Sequence, residues 1–172
     1  MEQRLKIGLI YGSTRAGRFC DTVVRWVAEQ ARGAAGLELD HLDPAAEEQD
    51  ELVRRIGQAD GFIVVTPEYN HSFPAPLKAL IDAANSEWHA KPVAFVSYGG
   101  VSGGLRAVEH LRGVFAELHA VGLRDTVSFA NAWAQFDERG RLREAHRAEG
   151  GMATLLARLD WWARALRDAR SI

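Results

Sequence analysis

The sequence contains few of the residues that build disulfides or metal centres. Among its 172 residues there is 1 cysteine, Cys20, so no disulfide can form within the chain and no CxxC redox or zinc pair exists. The 6 histidines are dispersed without HxH or HExxH spacing, which favours solvated or packing histidines over a metal site. Any redox chemistry therefore has to come from a bound cofactor.

Long apolar runs and an excess of one charge are also missing. No stretch reaches the roughly 20 apolar residues that span a bilayer, and the first residues lack the apolar core of a secretory signal. The formal net charge of -2 offers no basic excess for nucleic acid or anionic lipid. We therefore expect a cytoplasmic protein that binds neither nucleic acid nor membranes.

The sequence does contain an alternation of short apolar runs with segments of helical spacing. The runs predict strands at Leu5–Tyr11, Leu37–Leu42, Phe62–Val65, Val93–Ser97 and Val121–Phe129. Helical spacing predicts helices over Thr22–Ala31 and Glu51–Gln58, one from about Leu105, and a last one over Glu144–Arg170. The central runs are apolar on both faces, which is typical of parallel strands between layers of helices in an α/β fold. Because the chain has 172 residues, we expect one domain over residues 1–172. Its expected architecture is a flavodoxin-like three-layer sandwich, with a parallel sheet of order 2-1-3-4-5 and helices on both faces.

The first of three unusual loops follows strand one and reads GSTRAGR, Gly12–Arg18. Its two glycines free the backbone to wrap closely, and Ser13, Arg15 and Arg18 supply a hydroxyl and bidentate cations that suit phosphate oxygens. The loop matches neither GxxxxGK[ST] nor GxGxxG, so it favours a single phosphate over a nucleoside triphosphate or a dinucleotide. The alternative is a solvent-exposed turn with incidental arginines.

The loops after strands three and four reach the same edge of the sheet, where open α/β sheets bind ligands. In TPEYNHSFPAP, Pro67 fixes the chain direction, the N–H groups of Glu68, Tyr69 and Asn70 are expected to face outward, and Tyr69 offers a flat face to an aromatic ligand. In SYGGVSGG, two glycine pairs indicate close approach of the backbone to a ligand, and Ser102 is a predicted N-cap. The alternatives are a packing tyrosine with capping prolines, and a ligand-free glycine hinge.

These loops resemble those of the NADPH-dependent FMN reductase family, the flavodoxin-like flavin, quinone and azo-dye reductases. The resemblance runs from about Lys6 to Trp162 and rests on GSTRAGR, PEYN with the trailing LKALID, SYGGVSGGLRA and the FDERGRL turn. Many relatives read GSxRxGSxN, whereas Arg18 and Cys20 stand here at the serine and asparagine positions. Another branch carries GSTRxGR, so the phosphate site is kept and Cys20 is interpreted as a small helix residue.

The resemblance implies a bound FMN. It assigns the phosphate to Ser13, Arg15, Gly17 and Arg18, the wall beside the isoalloxazine ring to Pro67, Glu68, Tyr69 and Asn70, and the pyrimidine side of the ring to Ser97, Tyr98, Gly99, Gly100 and Gly103. Since the flavin N5 accepts hydride without a protein acid or base, no catalytic side chain is expected. The first turn of the helix after the third loop is expected to stabilise negative charge at the pyrimidine end.

The resemblance further implies NADPH or NADH as the donor and a small electron acceptor in a ping-pong cycle. A quinone, an azo compound, chromate or free flavin would serve, the last for a partner monooxygenase. Arg15, Arg18 or Arg106 are candidates for a 2′-phosphate contact, and His71, Phe73 and Trp88 for acceptor specificity. Relatives are commonly homodimers or homotetramers, so at least a homodimer is expected.

Some features have more than one interpretation. Trp88 and Trp133 either border the site or a subunit contact, or pack in the core, and the acidic segment Asp43–Asp50 is interpreted as a solvated loop and helix start. The functional alternatives are a flavodoxin-type electron carrier and a flavin-free binding module. The nearly neutral charge disfavours the carrier, and the three intact loops disfavour the flavin-free module.

Overall fold

The computed structural model describes residues 4–34 and 36–171. Five parallel strands form one sheet of order β2-β1-β3-β4-β5, as the sequence predicts. The strands are β1 Leu5–Tyr11, β2 Leu37–Leu42, β3 Gly61–Pro67, β4 Pro92–Gly99 and β5 Val121–Ala130. The helices are α1 Cys20–Ala31, α2 Gln49–Gln58, α3 Ala75–Asp82, α4 Leu105–Glu117, α5 Ala132–Gln135 and α6 His146–Arg170, with a 3-10 turn at Ser86–Trp88.

The sheet separates two apolar layers because alternate side chains of each strand point to opposite faces. On one face Ile63 and Val65 pack with α1 and α6. On the other face Phe62 and Val64 pack with α2, α3 and α4. All residues of β3 and β4 are buried, as expected for parallel strands covered on both sides.

Trp88 belongs to this core, which corrects its proposed role in acceptor specificity. Its side chain is fully buried and packs against Phe62 and Phe115, at ring-centroid distances of 4.7 and 5.3 Å. Its Nε1 donates to the carbonyl of Ile81 at 3.1 Å. The core interpretation is therefore the correct one for Trp88, whereas Trp133 on α5 is 62% exposed.

The edge strand β5 carries an irregularity that the sequence did not indicate. Val93 of β4 pairs with Gly122, but Phe95 pairs with Thr126, so β5 holds two extra residues across this step. Arg112 of α4 donates to the carbonyls of Leu123 and Arg124 and covers this part of the edge. The later residues of β5, from Thr126 to Ala130, line a groove together with the start of α6.

Two further predictions concern membranes and chain limits. None of the helices within residues 4–34 and 36–171 is long and apolar enough to cross a membrane. The first and last residues of the predicted domain, 1 and 172, lie outside the described residues.

Candidate functional site

Hydrogen bonds connect the three predicted loops at the carboxyl edge of the sheet. Ser13, at the end of β1, pairs its Oγ with the Tyr69 hydroxyl at 2.9 Å. Ser102 donates its hydroxyl to Glu68 Oε2 at 2.7 Å, which joins the loop after β3 to the loop after β4. Asn131 N–H donates to the Gly100 carbonyl at 2.8 Å and adds the end of β5. The loops therefore form one connected surface.

In the first loop, Arg18 is committed to partners within the chain. Its guanidinium donates to Asp21 Oδ1 at 2.7 Å, to the Ser13 carbonyl at 2.7 Å, and to both carboxylate oxygens of Asp43. The hydrogen bonds that Arg18 donates to Asp43 are the main cause that raises the pKa of Arg18 above its ordinary value. Asp43 is thus an ion-pair partner, which corrects its interpretation as part of a solvated segment.

Arg15 and Gly17 remain oriented toward the surface. The Arg15 guanidinium lies 3.8 Å from the centre of the Tyr69 ring, within the range of a cation–π contact. A Cβ added at Gly17 would meet no atom of the chain within 4 Å, although its φ of 63° makes any side chain there strained. Arg15 therefore keeps a cation beside the aromatic face of Tyr69.

The second loop contains a tight turn at Tyr69–Ser72. Tyr69 N–H donates to the Ser72 carbonyl at 2.8 Å, which corrects the expectation that it faces outward. Asn70 and His71, both exposed, have φ values of 50° and 68°. Two consecutive side chains in the left-handed region are strained by on the order of 1–3 kcal/mol each, and such strain is concentrated at binding sites.

Glu68 contacts the first turn of α4, the helix terminus that the sequence predicts to face the flavin. Besides Ser102, its carboxylate accepts from the Arg106 backbone N–H at 3.2 Å and from Arg106 Nε at 2.6 Å. The residue before α4 is Gly104, so the prediction that Ser102 is the N-cap is wrong. In the first turn of α4, Glu68 accepts from the Arg106 N–H, and the role of this turn toward a flavin stays a prediction.

Gly103 and Gly104 allow the third loop to pass directly over β4 and β5. Both have positive φ, at 62° and 83°. A Cβ on Gly104 would lie 2.8 Å from Ser97 Cβ and 2.9 Å from Tyr98 N, while one on Gly103 would collide with Ser128 Oγ. In contrast, a Cβ on Gly100 would meet nothing within 4 Å, so the chain leaves open space there.

Several predicted site residues have buried side chains. Ser97 is fully buried and donates its hydroxyl to the Gly103 carbonyl at 2.8 Å. Tyr98 is 5% exposed and packs on Phe19, and burial raises its pKa. Cys20 is fully buried too, and burial raises the pKa of its thiol to about 11, which keeps it protonated and unreactive. Ser97 and Tyr98 can therefore reach a ligand only through their backbone.

Metal-ligating clusters and ion pairs between distant residues differ in how well the sequence alone predicts them. No group of three or more histidine, cysteine, aspartate or glutamate side chains suited to a metal ion occurs in the described parts of the chain. The Asp43 and Arg106 partnerships were missed, because their members lie 25 and 38 residues apart in the chain. Only the acidic and basic character of these residues could have suggested a pairing.

Comparison with known proteins identifies similar sequences over most of the chain. A sequence profile described as NADPH-dependent FMN reductase matches residues 5–134. The NAD(P)H-dependent FMN reductase of Schizosaccharomyces pombe is 35% identical over 120 residues, which cover 58% of this chain and only 60% of that protein. The probable NADPH:quinone oxidoreductase 1 of Oryza sativa subsp. japonica is 32% identical, with 89% of each chain covered.

Solved structures show the same fold. The flavoenzyme NAD(P)H:(acceptor) oxidoreductase FerB from Paracoccus denitrificans superposes with a TM-score of 0.73 at 21% identity, covering 93% of this chain and 98% of that chain. A flavodoxin from Streptococcus pneumoniae superposes with a TM-score of 0.62. The sheet order and these likenesses establish a flavodoxin-like fold.

Proposed function

Because the chain belongs to the NADPH-dependent FMN reductase family, we propose that it binds FMN and passes hydride from NADPH or NADH to a small acceptor, a quinone in the first place. The observation that carries this proposal is the connected surface formed by the Ser13–Tyr69 and Glu68–Ser102 hydrogen bonds. It brings a phosphate-type loop, an aromatic face and open glycine backbone to one edge of the sheet, where such folds bind nucleotides.

The residues at this edge fit FMN. The open space at Gly17 and Gly100, which a side chain would fill, suits a ligand that approaches the backbone closely. Arg15 supplies the unpaired cation for the phosphate, and Arg18, held by Asp43 and Asp21, positions the loop in place of a direct phosphate contact. Ser13 is proposed to contact FMN through its hydroxyl or backbone, and Ser97 and Tyr98 through their backbone only. The remaining proposed contacts are Pro67, Glu68, Tyr69, Asn70, Gly99 and Gly103.

When bound, FMN supplies the hydride acceptor and donor chemistry of the reaction. The chain's own contribution is to hold and orient the FMN. Tyr69 would limit movement beside the isoalloxazine ring, Arg15 would hold the phosphate, and Glu68 keeps the second and third loops at a fixed separation. Since Glu68 and Arg106 neutralise each other, the negative charge that develops at the pyrimidine end is left to backbone N–H groups near Gly100.

Steady-state kinetics with NADPH and benzoquinone test the proposed reaction. We expect parallel lines in double-reciprocal plots at several quinone concentrations, because both substrates use the same open surface in turn. Intersecting lines would contradict this order of events, and absence of NADPH oxidation by FMN-loaded protein would reject the function. An acceptor series of azo dye, chromate and free FMN then ranks the substrates.

We further propose that the protein is a homodimer or homotetramer. Val101, within the third loop, and Trp133, on α5, are 86% and 62% exposed, and apolar side chains so exposed are typical of protein contacts. Light scattering on the purified protein should give at least twice the mass of one chain, and the mass of a single chain would reject the assembly. A cytoplasmic location, a single domain over 1–172 and delivery of reduced flavin to a monooxygenase remain predictions.

A further inference from the structure

A groove of about 770 Å³ opens beside the third loop, outside the connected surface described above. Its floor is the open part of β5, from Thr126 to Ala130, and its outer wall is the start of α6. Leu105, which directly follows Gly104, lies at one end. Since Asn131, next to Ala130, donates to the Gly100 carbonyl, this end of the groove adjoins the proposed flavin site. The volume lies within the range of about 300–1,000 Å³ typical of small-molecule sites.

Two arginines in the groove lack acidic partners. Arg143 and Arg147 are exposed, and within residues 4–34 and 36–171 neither forms an ion pair or a side-chain hydrogen bond. Glu144 also lines the groove, so its net charge is positive. In contrast, Arg18 is paired with Asp43 and Arg106 with Glu68. Of the three candidates for a 2′-phosphate contact, two are therefore occupied, and Arg15 is assigned to the FMN phosphate.

The wall of the groove also contains a glycine, Gly151, that the fold does not require. Gly150 and Gly151 lie within α6, where each is destabilising by about 1 kcal/mol relative to alanine. A Cβ on Gly150 would meet nothing within 4 Å, and one on Gly151 would make an ordinary contact with Val127 at 3.6 Å. Gly151 lines the groove, and its missing side chain widens it. This arrangement is typical of a helix that a ligand approaches closely.

We propose that this groove binds the adenosine half of NADPH, with Arg143 and Arg147 contacting the 2′-phosphate. The inference rests on the proposed function, in which NADPH passes hydride to FMN held at the loops beside Gly100. A 2′-phosphate is the group that distinguishes NADPH from NADH, and a pair of unpartnered guanidinium groups is the arrangement that recognises it. Arg143 and Arg147 are thus specificity-determining residues for the donor.

Titration calorimetry with adenosine 2′,5′-bisphosphate and with 5′-AMP tests the groove, because the two probes differ only in the 2′-phosphate. On FMN-loaded protein we expect the bisphosphate to bind at least about tenfold more tightly, a difference of about 1.4 kcal/mol. The double variant Arg143→Gln/Arg147→Gln should lose this preference, and Glu144→Gln, which removes the opposing charge, should increase it. All these side chains are exposed, so equal thermal midpoints are expected.

Kinetics provide the second readout. In the double variant the KM for NADPH should rise about tenfold, while kcat and the KM for NADH stay unchanged. A wild type without preference for the bisphosphate, or a double variant that keeps it, overturns the proposal. If wild-type protein binds no FMN and oxidises no NADPH, the proposed function fails instead. Normal turnover with an unchanged NADPH KM in the double variant rejects only the groove.

Discussion

Replacing Glu68 with glutamine is expected to lower the free energy of unfolding by about 2 kcal/mol and to raise the Kd for FMN about tenfold. The Glu68 side chain is 6% exposed and accepts hydrogen bonds from Ser102 and from both the backbone and the guanidinium of Arg106. A neutral amide of the same size can accept through one oxygen only, so at least one donor loses its partner. The second and third loops then lose their fixed separation.

Glu109→Gln is the matched control for this change. Glu109 also pairs with an arginine of α4, Arg112 at 3.2 Å, but its side chain is 73% exposed. Exposed pairs contribute about 0–1 kcal/mol, so both stability and FMN affinity should stay near the wild-type values. Chemical unfolding and fluorescence titration with FMN measure the two quantities. Wild-type FMN affinity in folded Glu68→Gln would contradict the proposed role of Glu68.

The pH dependence of stability gives an independent readout for Glu68. Burial by itself would raise the pKa of this carboxyl, but the hydrogen bonds from Arg106 and Ser102 outweigh burial and hold the pKa below the 4.5 of an ordinary glutamate. The stabilisation is therefore fully present above pH 4.5 and is lost as the pH falls through the folded-state pKa. The difference in stability between wild type and Glu68→Gln should shrink below that pH.

Alanine substitutions at Gly104, in the third loop, and at Gly113, in α4, should have different effects on the free energy of unfolding. Gly104→Ala is expected to lower the free energy of unfolding by about 3–5 kcal/mol, because it adds left-handed strain and a clash. The clash is with the backbone of β4 at Tyr98, 2.9 Å away, which cannot move without disturbing the central sheet. Gly113→Ala, within α4 and with open space around it, should be neutral or slightly stabilising.

Gly100→Ala distinguishes an effect on protein stability from an effect on FMN affinity. Because no chain atom lies within 4 Å of the added Cβ, we expect a stability change within about 0.5 kcal/mol. The FMN Kd should nevertheless rise about tenfold, since the methyl group would occupy space that the ring requires. Unchanged FMN affinity would show that the open space at Gly100 is not part of the flavin site.

The sheet order and the meeting of three loops could be predicted because each depends on local patterns. Apolar runs such as Phe62–Val65 define strands, and the right-handed crossover rule leaves few orders for them. Parallel strands then bring the ends of β1, β3 and β4 to one edge. Strand limits were less accurate, since β3 extends from Gly61 to Pro67, where pairing with a neighbouring strand extends the element.

The partners of charged residues could not be predicted, because they depend on tertiary distances. Arg18 has the residue type and the loop position of a phosphate ligand. However, Asp43, which directly follows β2, lies beside it in space and accepts its hydrogen bonds. Ser102 has the sequence context of an N-cap, but α4 begins only after Gly104, and Ser102 donates its hydroxyl to Glu68 from another loop. Trp88 follows a loop in sequence and is nevertheless fully buried, since a 3-10 turn directs it into the core.

The visible absorption spectrum of the purified protein, recorded without oxygen before and after addition of NADPH, tests FMN-dependent reduction most directly. We expect a yellow protein, or one that becomes yellow with FMN, whose colour bleaches in a single two-electron step. A protein that stays colourless after incubation with FMN would contradict the flavin site and favour a flavin-free binding module. A yellow protein whose spectrum NADPH leaves unchanged would contradict the reductase activity and favour an electron carrier.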